Sequence, residues 1–187
     1  MGVTHSQRGF TLSEVLLAVS VVLFVLLVGL ASLSARSAQA RSAALVLQAM
    51  VGTARTLAAA NAGSSAAIGS ASGATVAVTF ESGHTVARLY AGRPIDGVAL
   101  PADGHTPPFI TDAEISVVSG SAALPPFAIL ISSSGYAQLV ASYTVNSNLP
   151  VSATSCPSSG YTLRFSAGWH SEDHKLSCED ASLRTNN

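Results

Sequence analysis

The chain has 187 residues, a formal net charge of −1 and only 10% charged side chains. That length suits one compact domain plus an accessory segment. The near-neutral balance excludes a general basic field of the kind that attracts nucleic acid. In chain order, the first feature is Arg8-Gly9-Phe10-Thr11-Leu12-Ser13-Glu14, followed at once by an apolar run. From Val15 to Leu33, 19 residues pass without a charge or a proline. At about 1.5 Å per residue such a helix is roughly 28 Å long, close to the ~30 Å hydrocarbon core of a bilayer. The run has no polar stripe, as expected for a helix surrounded by lipid or buried all round. Glu14 sits at its edge. A carboxylate there costs free energy, up to about 2.5–3.5 kcal/mol at a bilayer centre, and such a group is normally paired. It either reaches the headgroup layer or meets a positive group in an assembly.

The stretch Gly9-Phe10-Thr11-Leu12-Ser13-Glu14 with the apolar run resembles the class III signal of type IV prepilins and type II secretion pseudopilins. In that family a short polar leader ends in Gly, and an aromatic residue, Thr, Leu, any residue and Glu precede about twenty apolar residues. The resemblance implies cleavage between Gly9 and Phe10 by a prepilin peptidase on the cytoplasmic face, then N-methylation of Phe10. It also implies that Glu14 neutralises the Phe10 amine of a neighbouring subunit. Opposite charges that meet in a low dielectric avoid the cost of burying either alone. The leader has no apolar region of its own, unlike a secretory signal peptide. Arg8 favours a cytoplasmic N-terminus. The remainder then faces the periplasm or exterior, with the chain held in the inner membrane by one span until it assembles in a filament.

The helix is expected to continue to about Asn61. No proline interrupts residues 34–60, and Ala40, Ala44, Leu47, Val51, Ala54 and Ala58 form a seam at spacings of four and three. Arg41, Gln48 and Arg55 recur every seven residues on the wetter face. Residues 64–73 read as a Ser/Ala/Gly linker. The period then changes to two. Val76, Val78 and Phe80 alternate, 81–84 turns and 85–90 returns, which makes a β-hairpin. Residues 92–108 read as a loop and 115–118 as a short strand. Residues 127–132 and 136–141 flank Ser133-Ser134-Gly135 as a second hairpin. The last strands are 161–165 and 175–177, joined by the polar segment 166–174. The fold class is therefore α+β: one long N-terminal helix on an antiparallel sheet. The resemblance implies the same pilin-like layout. The expected divisions are 1–9 leader, 10–33 transmembrane and filament-core helix, 34–62 helix extension and 63–187 extracytoplasmic β-rich domain.

Cys156 and Cys178 read as a disulfide if this domain is extracytoplasmic, closing a loop of about 23 residues worth roughly 3 kcal/mol. Two reduced buried thiols are the alternative. His170-Ser171-Glu172-Asp173-His174 reads as a polar hairpin tip. The two histidines would share a face if helical, but no second ligand pair of zinc-finger spacing exists. No nucleophile elbow, phosphate loop or paired-carboxylate motif appears. The reading is thus a non-enzyme with no metal, cofactor or small-molecule substrate. Trp169 and Tyr161 are core or surface anchors.

Within the pilin class, the helix end from Leu47 to Ala60 and the hairpin at Ser133-Ser134-Gly135 are similar to GspH/FimT-type minor pilins. The terminal cysteine pair is more usual in type IV pilins. Expected partners are other pilin or pseudopilin subunits, the prepilin peptidase and the inner membrane. Some FimT-type pilins bind DNA through late basic residues. Here Arg164, Lys175 and Arg184 stand among Glu172, Asp173, Glu179 and Asp180, a poor cluster for phosphates.

Overall fold

In the computed structural model, residues 12–60, 70–94, 106–119, 122–143 and 155–185 are described. The chain divides into two units, 1–36 and 37–187. Helix α1 (Leu12–Ala60) belongs to both.

In the first unit α1 carries its apolar side chains bare: Leu16, Leu17, Phe24 and Leu27 are all more than half exposed. The helix is long and apolar enough to cross a membrane, and none of that window is covered by protein. Nothing in the sequence between Val15 and Leu33 breaks helical geometry, and Gly29 has open space around it. Ser20 and Ser32 return their hydroxyls to the carbonyls of Leu16 and Gly29, so neither leaves an unsatisfied donor on an apolar face.

In the second unit the seam of α1 is buried. Ala40, Ala44, Leu47, Val51, Ala54 and Ala58 are 0–1% exposed, and Ala43 joins them. Arg41, Gln48 and Arg55 are exposed. Five of those seven buried positions are alanine, which is ordered at little side-chain entropy cost.

Among the described residues nine strands follow, all antiparallel: β1 (Ser70–Glu81), β2 (His84–Pro94), β3 (Phe109–Thr111), β4 (Glu114–Ser119), β5 (Phe127–Ile131), β6 (Ala137–Ala141), β7 (Tyr161–Ala167), β8 (His170–Leu176) and β9 (Leu183–Thr185). They make two sheets, in the orders β3-β2-β1-β5-β6 and β4-β7-β8-β9. Alternation decides which face of each is buried. Val76 and Val78, Leu89, Ile129 and Ile131, Leu139, Ile115, Leu163 and Phe165 share one cluster with the α1 seam. Full burial of each such side chain contributes about 1.5–3 kcal/mol. The opposite face of the five-stranded sheet carries a second, smaller cluster of Ala77, Tyr90, Ala128, Leu130, Val140 and Tyr143.

Four differences from the sequence reading have physical causes. Two sheets form where one was expected, because Asp112-Ala113 turns the chain out of β3 and into β4 of the other sheet. Strands β3 and β9 are three residues each, too short to show a period. Strand β1 starts inside the expected linker, where small residues masked the alternation. The polar segment 166–174 is not a hairpin tip. It supplies the end of β7 and most of β8, and the tip is Gly168-Trp169 alone. Its outward positions, Ser171, Asp173 and Lys175, are polar because they face water, while His174 and Leu176 point inward. The β1–β2 turn is the two-residue kind: Ser82 and Gly83 have φ of 52° and 88°, and Glu81 pairs with His84. Positive φ at both central residues gives the I′ geometry that suits strand twist.

Candidate functional site

Of the residues that carry the sequence resemblance, Leu12, Ser13 and Glu14 open α1. Glu14 lies in its first turn and is exposed. A carboxylate there also complements the positive end of the helix macrodipole. Gly9 and Phe10 lie outside the described residues. The helix continues from Leu12 through Ala60 without interruption, so the apolar run and the domain seam are parts of one element.

Cys156 and Cys178 form a disulfide, with Cα atoms 6.2 Å apart and a sequence separation of 22. Cys178 is buried and its carbonyl accepts a hydrogen bond from the Ala137 amide of β6, at 2.8 Å. The bridge therefore holds the end of β8 beside the edge of the other sheet. Gly160 completes this corner. Its φ is +76°, and a Cβ there would lie 2.5 Å from the Leu176 carbonyl oxygen, so only glycine lets β7 begin where it does. Asp180 caps the following turn, accepting from the Ser182 amide at 3.1 Å and hydroxyl at 2.8 Å. Hydroxyls of Ser177 and Ser182 hold its carboxyl down to about 2.

The late basic residues do not gather. Arg164 makes a two-pronged pair with Asp173 across the β7–β8 ladder, both contacts at 2.8 Å. Arg184 reaches Asp180 at 3.4 Å. Pairing of two of the three cations with neighbouring carboxylates leaves little for a phosphate backbone. Nor do the histidines assemble a metal centre. His170 and His174 stand 3.5 and 3.8 Å from the two oxygens of Glu172, spread along one strand face, and among the described residues no three donors converge for a metal. His174 is buried edge-on against Phe165, with ring centroids 5.2 Å apart. A strand, like a helix, places i and i+4 on one face, and that period-two signal was present in the sequence.

The outer face of the β1–β2 hairpin holds a further ion pair. Arg88 donates to both oxygens of Glu81, the Nη2–Oε2 contact at 2.8 Å, and Thr79 donates to Glu81 at 2.7 Å. The Arg88 hydrogen bond first, then Thr79, lowers the Glu81 carboxyl to about 2. A depressed folded pKa contributes stability that is present above the unfolded value near 4.5 and is lost as pH falls towards 2. Glu81 is 43% exposed, so screening limits the contribution to under about 1 kcal/mol. Arg88→Met is expected to lose that amount at pH 6 and to match the parent near pH 2. Urea unfolding at both pH values measures it, and an equal deficit at pH 2 would assign the loss to packing.

These features describe a helix with an apolar half and a β unit in which, among the described residues, no three donors converge for a metal. Residues 4–30 match the family model of the prokaryotic N-terminal methylation motif. The motif supports a type IV pilin-like protein, and it implies processing by a prepilin peptidase and assembly with other pilins. With the α+β layout, it points to a structural subunit. An apolar helix directly behind this signal is consistent with a membrane-anchored pilin. No curated protein and no solved structure matches the chain.

Proposed function

We propose that the chain is a minor pseudopilin, a subunit that helps initiate or cap the filament of a type II protein secretion system. In this reading a prepilin peptidase cuts after Gly9, Phe10 becomes the methylated N-terminus, and Glu14 partners the Phe10 amine of a neighbour. Residues 10–33 form the transmembrane and filament-core segment, 34–62 the helix extension and 63–187 the extracytoplasmic domain. The observation that carries the reading is the methylation motif directly ahead of an apolar helix whose second half is the spine of a β domain. The likeness of the helix end and of the 133–135 turn to GspH/FimT-type subunits supports the minor role.

A second reading, a minor type IV pilin for adhesion, motility or DNA uptake, is favoured by one feature. The disulfide closes the C-terminal strands, as is more usual in pilins. The paired state of Arg164 and Arg184 speaks against DNA as a direct ligand. A clean deletion scored in parallel for exoprotein secretion and for surface piliation separates the two. Lost secretion with normal pili is expected. Normal secretion with lost pili or transformation would move the chain to the pilus.

A further inference from the structure

The β5–β6 turn and the face of α1 beside it border a hollow of about 480 Å³. Gly52, Arg55, Thr56 and Ala59 line it from the helix, and Ser133, Ser134 and Gly135 from the turn. All seven belong to the second unit. The four helical positions share one face, because i, i+3, i+4 and i+7 stack along a helix. The turn is fixed by its own bonds. The Gly135 amide donates to the Ser132 carbonyl at 2.9 Å, and the Tyr136 amide to the Ser132 hydroxyl at 3.0 Å.

Three lining groups answer no need within this chain. Arg88, Arg164 and Arg184 each meet a carboxylate. Arg55 is exposed, and among the described residues no carboxylate pairs with it. Ser132 and Ser134 share a hydrogen bond of 2.8 Å, whereas the Ser133 hydroxyl has no partner among the described residues. Gly52 lies in the interior of α1, where glycine is less favourable than alanine. A Cβ there would meet nothing within 4 Å, so no contact inside the chain requires the glycine.

Charge is also divided along the sequence. Residues 15–80 hold Arg36, Arg41 and Arg55 and no acidic residue, while residues 81–187 hold nine acidic residues against five Lys and Arg. A subunit with the same division offers carboxylates to the basic helix of its neighbour. The fork of a guanidinium matches a carboxylate in two-pronged fashion, and a serine hydroxyl beside it adds a neutral donor. A small free carboxylate gains little from an exposed cation in water. A carboxylate carried on a protein surface that closes over Gly52 excludes water from the contact, and the pair strengthens as the local dielectric falls.

We infer that the hollow is a docking site for an acidic side chain of a neighbouring pilin-type subunit. Arg55 is the cation, Ser133 the neutral donor and Gly52 the gap through which the neighbour approaches. The inference rests on the assembly of this chain with other pilins.

The test uses the full chain in membranes and in sheared filaments of the producing cells. A carbodiimide activates a carboxylate, and an amine in contact with it captures it as an amide. Arg55→Lys supplies that amine at the hollow. Arg41→Lys supplies one on the same helix about 21 Å away. The expected result is a cross-link from the Arg55→Lys chain to an Asp or Glu of a second pilin-type subunit, identified by mass spectrometry. It should exceed the parent and Arg41→Lys several-fold. Adding Gly52→Leu fills the hollow and should remove the cross-link while Tm is unchanged or raised. Exclusion of Arg55→Lys from filaments at unchanged Tm, with Arg41→Lys incorporated, also supports the site. An Arg55→Lys chain that enters filaments without the cross-link overturns the inference. So does a cross-link of equal yield in Arg41→Lys, one that survives Gly52→Leu, or one to a protein that is not a subunit. A parent chain absent from filaments defeats the assembly reading, and this inference with it.

Discussion

Glu14→Ala is expected to leave the chain inserted in the membrane and to remove it almost completely from filaments. The residue lies one position before an uncharged run of 19 and in the first turn of α1. Alanine makes insertion easier, since a carboxylate at the edge of the span is the costly group. Assembly is different. If Glu14 partners the Phe10 amine of a neighbour, the variant leaves a buried ammonium unmatched. Removing one partner of a buried pair costs about 3–5 kcal/mol, more than about a hundredfold in affinity. The measurement is the ratio of chain in sheared filaments to chain in membranes, by immunoblot. Glu14→Gln, which keeps size and hydrogen bonding but not charge, is expected to fail similarly. Normal incorporation of both variants would remove Glu14 from the assembly contact.

The second large effect is in the β unit. Replacing both Cys156 and Cys178 by Ser is expected to cost about 3 kcal/mol, because the 22-residue separation sets the loop entropy removed from the unfolded chain. For a domain of this size that is roughly 10 °C in Tm. The loop contains β7 and β8, the two central strands of the four-stranded sheet, so loss of the bridge loosens the middle of that sheet. The full chain in detergent, melted with and without reductant and beside the double variant, gives the number. Coincident melting curves for all three would show that the bridge carries no stability.

The helix is legible because its pattern is long: six buried positions at spacings of four and three, with three polar residues opposite them, leave one solution. The two larger hairpins were legible for a similar reason, since Val76, Val78 and Phe80, or the apolar run of β5, carry the strand period openly. The end of β7 and most of β8 were not. A strand with one face in water and two His and a Glu on the other shows no apolar alternation, so its polarity resembles that of a loop. Division into two sheets was hidden because it depends on a two-residue corner at Asp112-Ala113, and local propensity says nothing about which sheet a strand joins. The chemistry at the start of α1 was the most legible part. It is written in residue type at fixed spacing, from Gly9 to Glu14, and needs no tertiary contact to be read. Trp169 was the least legible. Its type suits a core or a surface, and only its place at a hairpin tip distinguishes them.

The central claim is that the chain is processed as a prepilin. Its most direct test is the intact mass and N-terminal sequence of the protein taken from membranes with an active prepilin peptidase. The account predicts a chain that lacks residues 1–9 and begins at N-methylated Phe10. A functional chain that retains residues 1–9 under those conditions would contradict it.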